Sequence, residues 1–205
     1  MAFDFKKEFK ALYLPPTKPV IVNVPSMNFI AVSGKGNPNE ENSEYKRSIE
    51  QLYGVAYTLK MSYKGSYKID GFFEYVVPPL EGLWWTDSGV FDEKSLLRFI
   101  SMIRLPDFIT NTHIKWAIEE VERKKKQDCS GVKYLNFIEG LCVQCMHIGS
   151  YDEEPKTIAT MTAFAKEQGY EIAIDEYRKH HEIYLNDPRK TSIDKLKTVL
   201  RYPIK

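Results

Sequence analysis

A chain of 205 residues is long for one average domain and short for two, which suits a single core with an internal duplication. With 43% hydrophobic and 28% charged residues disorder is excluded, and 29 Lys+Arg against 28 Asp+Glu leave a formal charge of +1, too small for the field a nucleic-acid binder relies on. No stretch reaches the roughly 18 consecutive apolar residues of a membrane span, and Met1-Ala-Phe-Asp-Phe-Lys-Lys-Glu lacks a signal peptide's apolar run, so a cytoplasmic protein is expected.

Residues 1–19 read as an arm: an amphipathic helix from Asp4 to Leu12, then Pro15, Pro16 and Pro19, which hold the chain extended. A first module, 20–90, opens with a strand over Met27–Ser33, broken by Gly34-Lys-Gly-Asn-Pro-Asn. Tyr45, Ile49, Leu52, Tyr53, Ala56 and Leu59 at helical spacing predict a helix from Glu44 to Met61. Phe72–Val77 and Leu83–Thr86 read as two strands joined by Pro78-Pro79-Leu80-Glu81-Gly82, giving β-α-β-β. An insertion, 91–135, carries a strand over Leu97–Arg104 and a helix over Thr110–Lys125. The second module, 136–205, repeats the order: strand Leu141–Ile148, helix Pro155–Gln168 terminated by Gly169, then strands His180–Leu185 and Val199–Pro203, with a helical turn near Ser192–Lys197.

Four or more long helices against seven or eight strands predict an α+β two-layer sandwich of duplicated β-α-β-β modules, with a mostly antiparallel sheet and a ligand cleft between the halves. Aromatic content motivates the cleft: 13 Tyr, 11 Phe and 3 Trp, many of them in the middle third. Period-two alternation places Glu182 with Tyr184, and Phe73 with Tyr75, on the face away from the helices.

Glu182 is the sharpest chemical candidate, because a carboxylate between apolar strand neighbours costs free energy unless paired or exposed. It is either an outward residue on an edge strand or a pocket carboxylate that attracts a cation or deprotonates a water. Trp84 and Trp85 are adjacent on a strand and face opposite ways, so one is core and the other a stacking platform, assigned here to Trp85. Trp116 lies off the Ile114, Ala117, Ile118, Val121 stripe, and overhangs the pocket or covers a sheet edge. His147 is a ligand candidate or a satisfied core histidine.

Several bland readings hold elsewhere. Cys142 and Cys145 form a C-x-x-C on a strand, where residues three apart face opposite ways, so neither a shared metal nor a disulfide is expected. Arg123-Lys-Lys-Lys126 closes a helix whose dipole it complements. Phosphate-binding glycine loops, G-x-S-x-G, H-E-x-x-H and dinucleotide fingerprints are absent from the sequence.

Val77-Pro-Pro-Leu-Glu-Gly-Leu-Trp-Trp85, Met146-His-Ile-Gly-Ser-Tyr-Asp152, Glu182-Ile-Tyr-Leu-Asn-Asp-Pro-Arg189 and the Asp4–Tyr13 arm together resemble the stand-alone GyrI-like small-molecule-binding proteins over essentially the whole chain. The resemblance implies a pseudo-two-fold pair of modules and a Glu182 that matches the pocket carboxylate of multidrug-responsive regulators. No helix-turn-helix is present, so the regulator function does not transfer. The Trp-Trp string and the inserted helix make the chain similar to members that hydrolyse cyclopropane-bearing DNA alkylators in an aromatic cage. The expectation is a cofactor-independent and metal-independent hydrolase in which a flat, apolar or cationic ligand stacks among Trp85, Tyr75, Phe73 and Tyr184 while Glu182 activates water, with Glu182 and Tyr184 as the catalytic residues. The alternatives are a binder that sequesters drugs and, on the family name alone, a partner of gyrase.

Overall fold

Residues 2–89 and 93–205 of the computed structural model are described; the expected boundary between first module and insertion, at 90/91, falls outside them. In chain order the elements are α1 (Phe5–Glu8), α2 (Lys10–Tyr13), β1 (Val20–Lys35), α3 (Glu44–Met61), β2 (Leu80–Trp85), β3 (Arg98–Arg104), α4 (Asn111–Lys125), β4 (Lys133–Ile148), α5 (Glu154–Glu167), β5 (His180–Tyr184) and β6 (Lys197–Pro203). The strands are ordered β1-β3-β2-β5-β6-β4 in an antiparallel sheet, as the mixed α+β reading expects. The chain divides into two compact units.

The first unit comprises Met1–Asp4, Met27–Leu80 and Trp85–Phe137. Phe29 to Lys35 of β1 pair with Arg104 to Arg98 of β3, so the strand expected in an insertion completes the ladder of β1. The predicted helical face of α3 buries Leu52, Val55, Ala56 and Leu59, and α4 buries Ile114, Ala117 and Val121. Ser43 caps α3 by accepting from the Lys46 N–H, and Ser48 Oγ donates to Ser101 Oγ at 2.9 Å, pinning helix to strand. The expected strand Phe72–Val77 does not form. Residues 74–76 hold Phe3 through a single parallel bridge, Phe3 to Tyr75. Pro78 and Pro79 follow and offer no N–H to a ladder.

The second unit comprises Phe5–Ser26, Glu81–Trp84 and Ile138–Lys205. β6 is its central strand, pairing Cys142–Ile148 on one side and His181–Tyr184 on the other. Met161 and Ala165 of α5 pack on Val143, Cys145, Leu200, Tyr202 and Ile204. Gly169 ends α5 at φ +85°, as its position predicts. The arm carries two short helices in place of one. It is fastened by polar bonds: Gln144 Nε2 donates to the Ala11 carbonyl, Arg201 to that of Leu12, and Tyr13 Oη to Glu81.

Behind these bonds lies a fully buried charge network. Arg201 and His181 donate to the two oxygens of Glu139, at 2.8 and 3.0 Å, and the other His181 nitrogen donates to Glu81 at 3.0 Å. Each cation is thus hydrogen-bonded to a carboxyl partner, which is what makes its burial tolerable. Burial opposes the imidazolium, but Glu139 and Glu81 overcome it and raise His181 to about 9. Burial likewise opposes the Glu139 anion, but His181 and Arg201 hold its pKa at about 2.

Candidate functional site

β5 sends His181 and Ile183 into the interior and His180, Glu182 and Tyr184 to the other face, by the alternation the sequence predicts. On that face the three side chains bond to one another. His180 Nε2 donates to Glu182 Oε1 at 2.9 Å, and Tyr184 Oη donates to Glu182 Oε2 at 2.6 Å, a short charge-assisted bond. The Trp84 indole donates to Tyr184 Oη at 2.8 Å. Tyr151 stands edge-on to the Tyr184 ring, with centroids 6.0 Å apart, and Tyr202 packs on His180 at 4.9 Å.

Glu154, the first residue of α5, meets Glu182 from the helix. It is 6% exposed, against 14% for the Glu182 side chain. Burial, then the Glu182 charge and the hydrogen bond between them, raise the Glu154 pKa far above the ordinary carboxyl range, so the pair holds one proton at neutral pH. Burial, followed by the charges of Glu182 and Glu154, also raises Tyr151 and Tyr202 to about 12, which keeps both phenols protonated. Glu154, His180 and Glu182 each offer a ligand atom within 4.8 Å of the others, the one set among the described residues that could hold a metal ion. His180 Nε2 and the two Glu182 oxygens already serve hydrogen bonds within the cluster.

His147 braces the turn that presents Tyr151 and Glu154. Its Nε2 donates to the Ser150 carbonyl at 2.9 Å, and its Nδ1 lies 2.8 Å from the Thr157 hydroxyl. A hollow of about 320 Å³ beside it is lined by Thr17, Met146, Glu153, Lys156 and Thr157, and does not include Glu182.

Glu182, Tyr184 and Trp84 thus meet in the second unit. Trp84 is the tryptophan bonded to Tyr184, while Trp85, expected as the platform, belongs to the first unit and is half-buried. Also in the first unit, Trp116 stacks on Tyr67 with centroids 3.9 Å apart and planes 4° from parallel. Phe73 and Tyr75 do not share a face, because no strand forms: Phe73 is 43% exposed, Tyr75 only 2%. Both rings join a cluster with Phe108, and Phe3 packs on Phe73 at 5.2 Å. Sequence reading missed Glu154, His180, Tyr151 and Tyr202. Two carried a signal: Tyr151 lies in the Met146–Asp152 string, and His180 stands two residues before Glu182.

The chain belongs to the GyrI-like family: the model of the GyrI-like small molecule binding domain matches residues 17–205. It is 45% identical to a protein of Listeria innocua described as a hydrolase, covering 99% of this chain and 100% of that one with a TM-score of 0.92. An uncharacterized conserved protein from Listeria innocua matches at 44% identity over 99% and 100% of the two chains, TM-score 0.94. The C-terminal domain of EcmrR shares the fold at 12% identity, TM-score 0.59, over 92% of this chain and 97% of that one. No curated protein sequence matches the chain. No helix among the described residues is long and apolar enough to cross a membrane.

Proposed function

We propose that the protein hydrolyses a flat, apolar electrophile bearing a cyclopropane conjugated to a carbonyl, with Glu182 as the base. The carrying observation is the Glu154–Glu182 pair. A carboxylate has about four lone-pair positions. His180, Tyr184 and Glu154 take three of those on Glu182, which leaves one for a water. Glu154 Oε1 is buried and without a hydrogen-bond partner among the described residues, and it suits a second hold on the same water.

In the step proposed, the water oxygen bonds to the cyclopropane methylene and its proton passes to Glu182. The strained C–C bond breaks, and its electron pair travels through the ring to the carbonyl oxygen, which becomes a phenolate and is protonated on release. The net change is addition of one water. The donors on Glu182 fix the direction in which its remaining lone pair points, and the nearly dry surroundings strengthen each of these interactions. The likeness to a Listeria innocua protein described as a hydrolase supports the reaction class.

Incubating the protein with such a compound in water enriched in heavy oxygen tests this. Mass spectrometry is expected to show a catalytic excess of labelled adduct, and Glu182→Gln to slow its formation by about 10²–10⁴-fold. Stoichiometric protection without adduct would support the second reading, a sequestering binder, which the description of the family as small-molecule-binding favours. In that case Glu182 neutralises a cationic ligand.

A further inference from the structure

The geometry points to Tyr151 as a catalytic residue: its hydroxyl is the donor that receives the negative charge arriving on the ligand carbonyl. This rests on the hydrolytic reading. In a flat ring opened by attack at a cyclopropane, the methylene and the carbonyl oxygen lie at opposite ends of the conjugated system. The carboxyl pair that handles the water therefore cannot also hold the oxygen. A separate donor is needed, beside the carboxyl pair but directed elsewhere.

Three phenols surround the pair, and two are unsuited. Tyr184 has one O–H, and it is given to Glu182, while its oxygen accepts from Trp84. Tyr202 is buried, at 9% exposure, with its ring against His180. Tyr151 is 38% exposed, and its ring stands perpendicular to that of Tyr184. A ligand could therefore reach its hydroxyl while lying next to the carboxylates.

The turn that carries Tyr151 is built to hold it. Gly149 takes φ +128°, a conformation closed to most side chains, Ser150 Oγ accepts the Asp152 N–H, and His147 grips the Ser150 carbonyl. Tyr151 opens a single 3₁₀ turn, Tyr151–Glu153, that runs directly into α5 and Glu154. One rigid segment thus presents both the phenol and the carboxyl that shares its proton with Glu182. Preorganised donors of this kind cost no rearrangement when charge develops.

The test is Tyr151→Phe, which keeps the ring. The proposal expects kcat to fall by about 10²-fold with KM and melting temperature kept, because the bond matters only once the oxygen is charged. A raised KM with kcat kept, or unchanged kinetics, overturns it and makes Tyr151 a wall of the site. A second measurement needs no turnover: the naphthalenone in which two methyl groups replace the cyclopropane is bound, and its carbonyl stretch is read by infrared difference spectroscopy. A shift to lower frequency in the wild type that disappears in Tyr151→Phe supports the donor, and equal frequencies in both proteins overturn it. Failure of the wild type to form adduct, with that carbonyl shift present, counts against hydrolysis and not against Tyr151.

Discussion

Gly82 shows how closely the site is fitted. A Cβ there would lie 2.7 Å from the Trp84 indole nitrogen and 3.2 Å from the Tyr184 hydroxyl, the two atoms that bond to each other. Gly82→Ala is therefore expected to push the indole off Tyr184 and release the Tyr184–Glu182 bond. The expected cost is about 1–3 kcal/mol in denaturant unfolding, with a change in tryptophan emission; unchanged emission and stability would show that the neighbours absorb the methyl group. Glu182 and Tyr184 were legible as neighbours because period two is geometric and β5 is a regular strand. Glu154 was not, because Asp152-Glu-Glu-Pro reads as a solvated turn and only the tertiary approach of α5 to β5 buries one of its acids. Trp84 and Trp85 could be split between faces, but the choice of Trp85 as platform had no support in the pattern, since register is not written in two adjacent identical residues.

At the scale of elements, α3, α4 and α5 were legible to within a residue because each combines an apolar stripe with a clear start: Ser43, Thr110 and Pro155. β1 and β4 run 16 residues each, well beyond the predicted strands, since Pro25 interrupts the pattern of β1 and Gly140 that of β4. Phe72–Val77 misled through its aromatic and β-branched content, which here serves ring packing around Phe108 and not a ladder. The arm was seen, but not its clamp, because Glu139, His181, Arg201 and Gln144 come from three strands. Glu139→Gln leaves His181 and Arg201 buried with one counter-charge fewer. A loss of about 3–5 kcal/mol is expected in chemical denaturation, with the arm released to proteolysis near Leu14. A loss under 1 kcal/mol, about the size for an exposed pair, would mean that water reaches the network.

For the molecule as a whole, Glu139, His181 and Glu154 each tie stability to pH, and their signs differ. Glu139 is held at about 2 when folded against an ordinary 4.5, so its contribution is present above 4.5 and disappears as pH falls towards 2. His181 is raised from 6.5 to about 9, so its contribution is complete below 6.5 and is lost as pH rises through 9. Glu154 is also raised. Folded protein keeps its proton above pH 4.5 while the unfolded chain releases it, and stability falls with rising pH from that point. Between 4.5 and 6.5 Glu154 is the group of the three that titrates on unfolding, with a slope of about 1.4 kcal/mol per pH unit. Glu154→Gln cannot release a proton, so its stability is expected to stay level across that window where the wild type declines. Above 6.5 the unfolded chain also releases the His181 proton, so both proteins lose stability, the wild type about twice as steeply. Denaturant melts from pH 4.5 to 9 would separate the two slopes. If Glu154→Gln declined as steeply as the wild type from 4.5 to 6.5, Glu154 would not hold the shared proton, and the pair would lose the feature on which the hydrolytic reading rests.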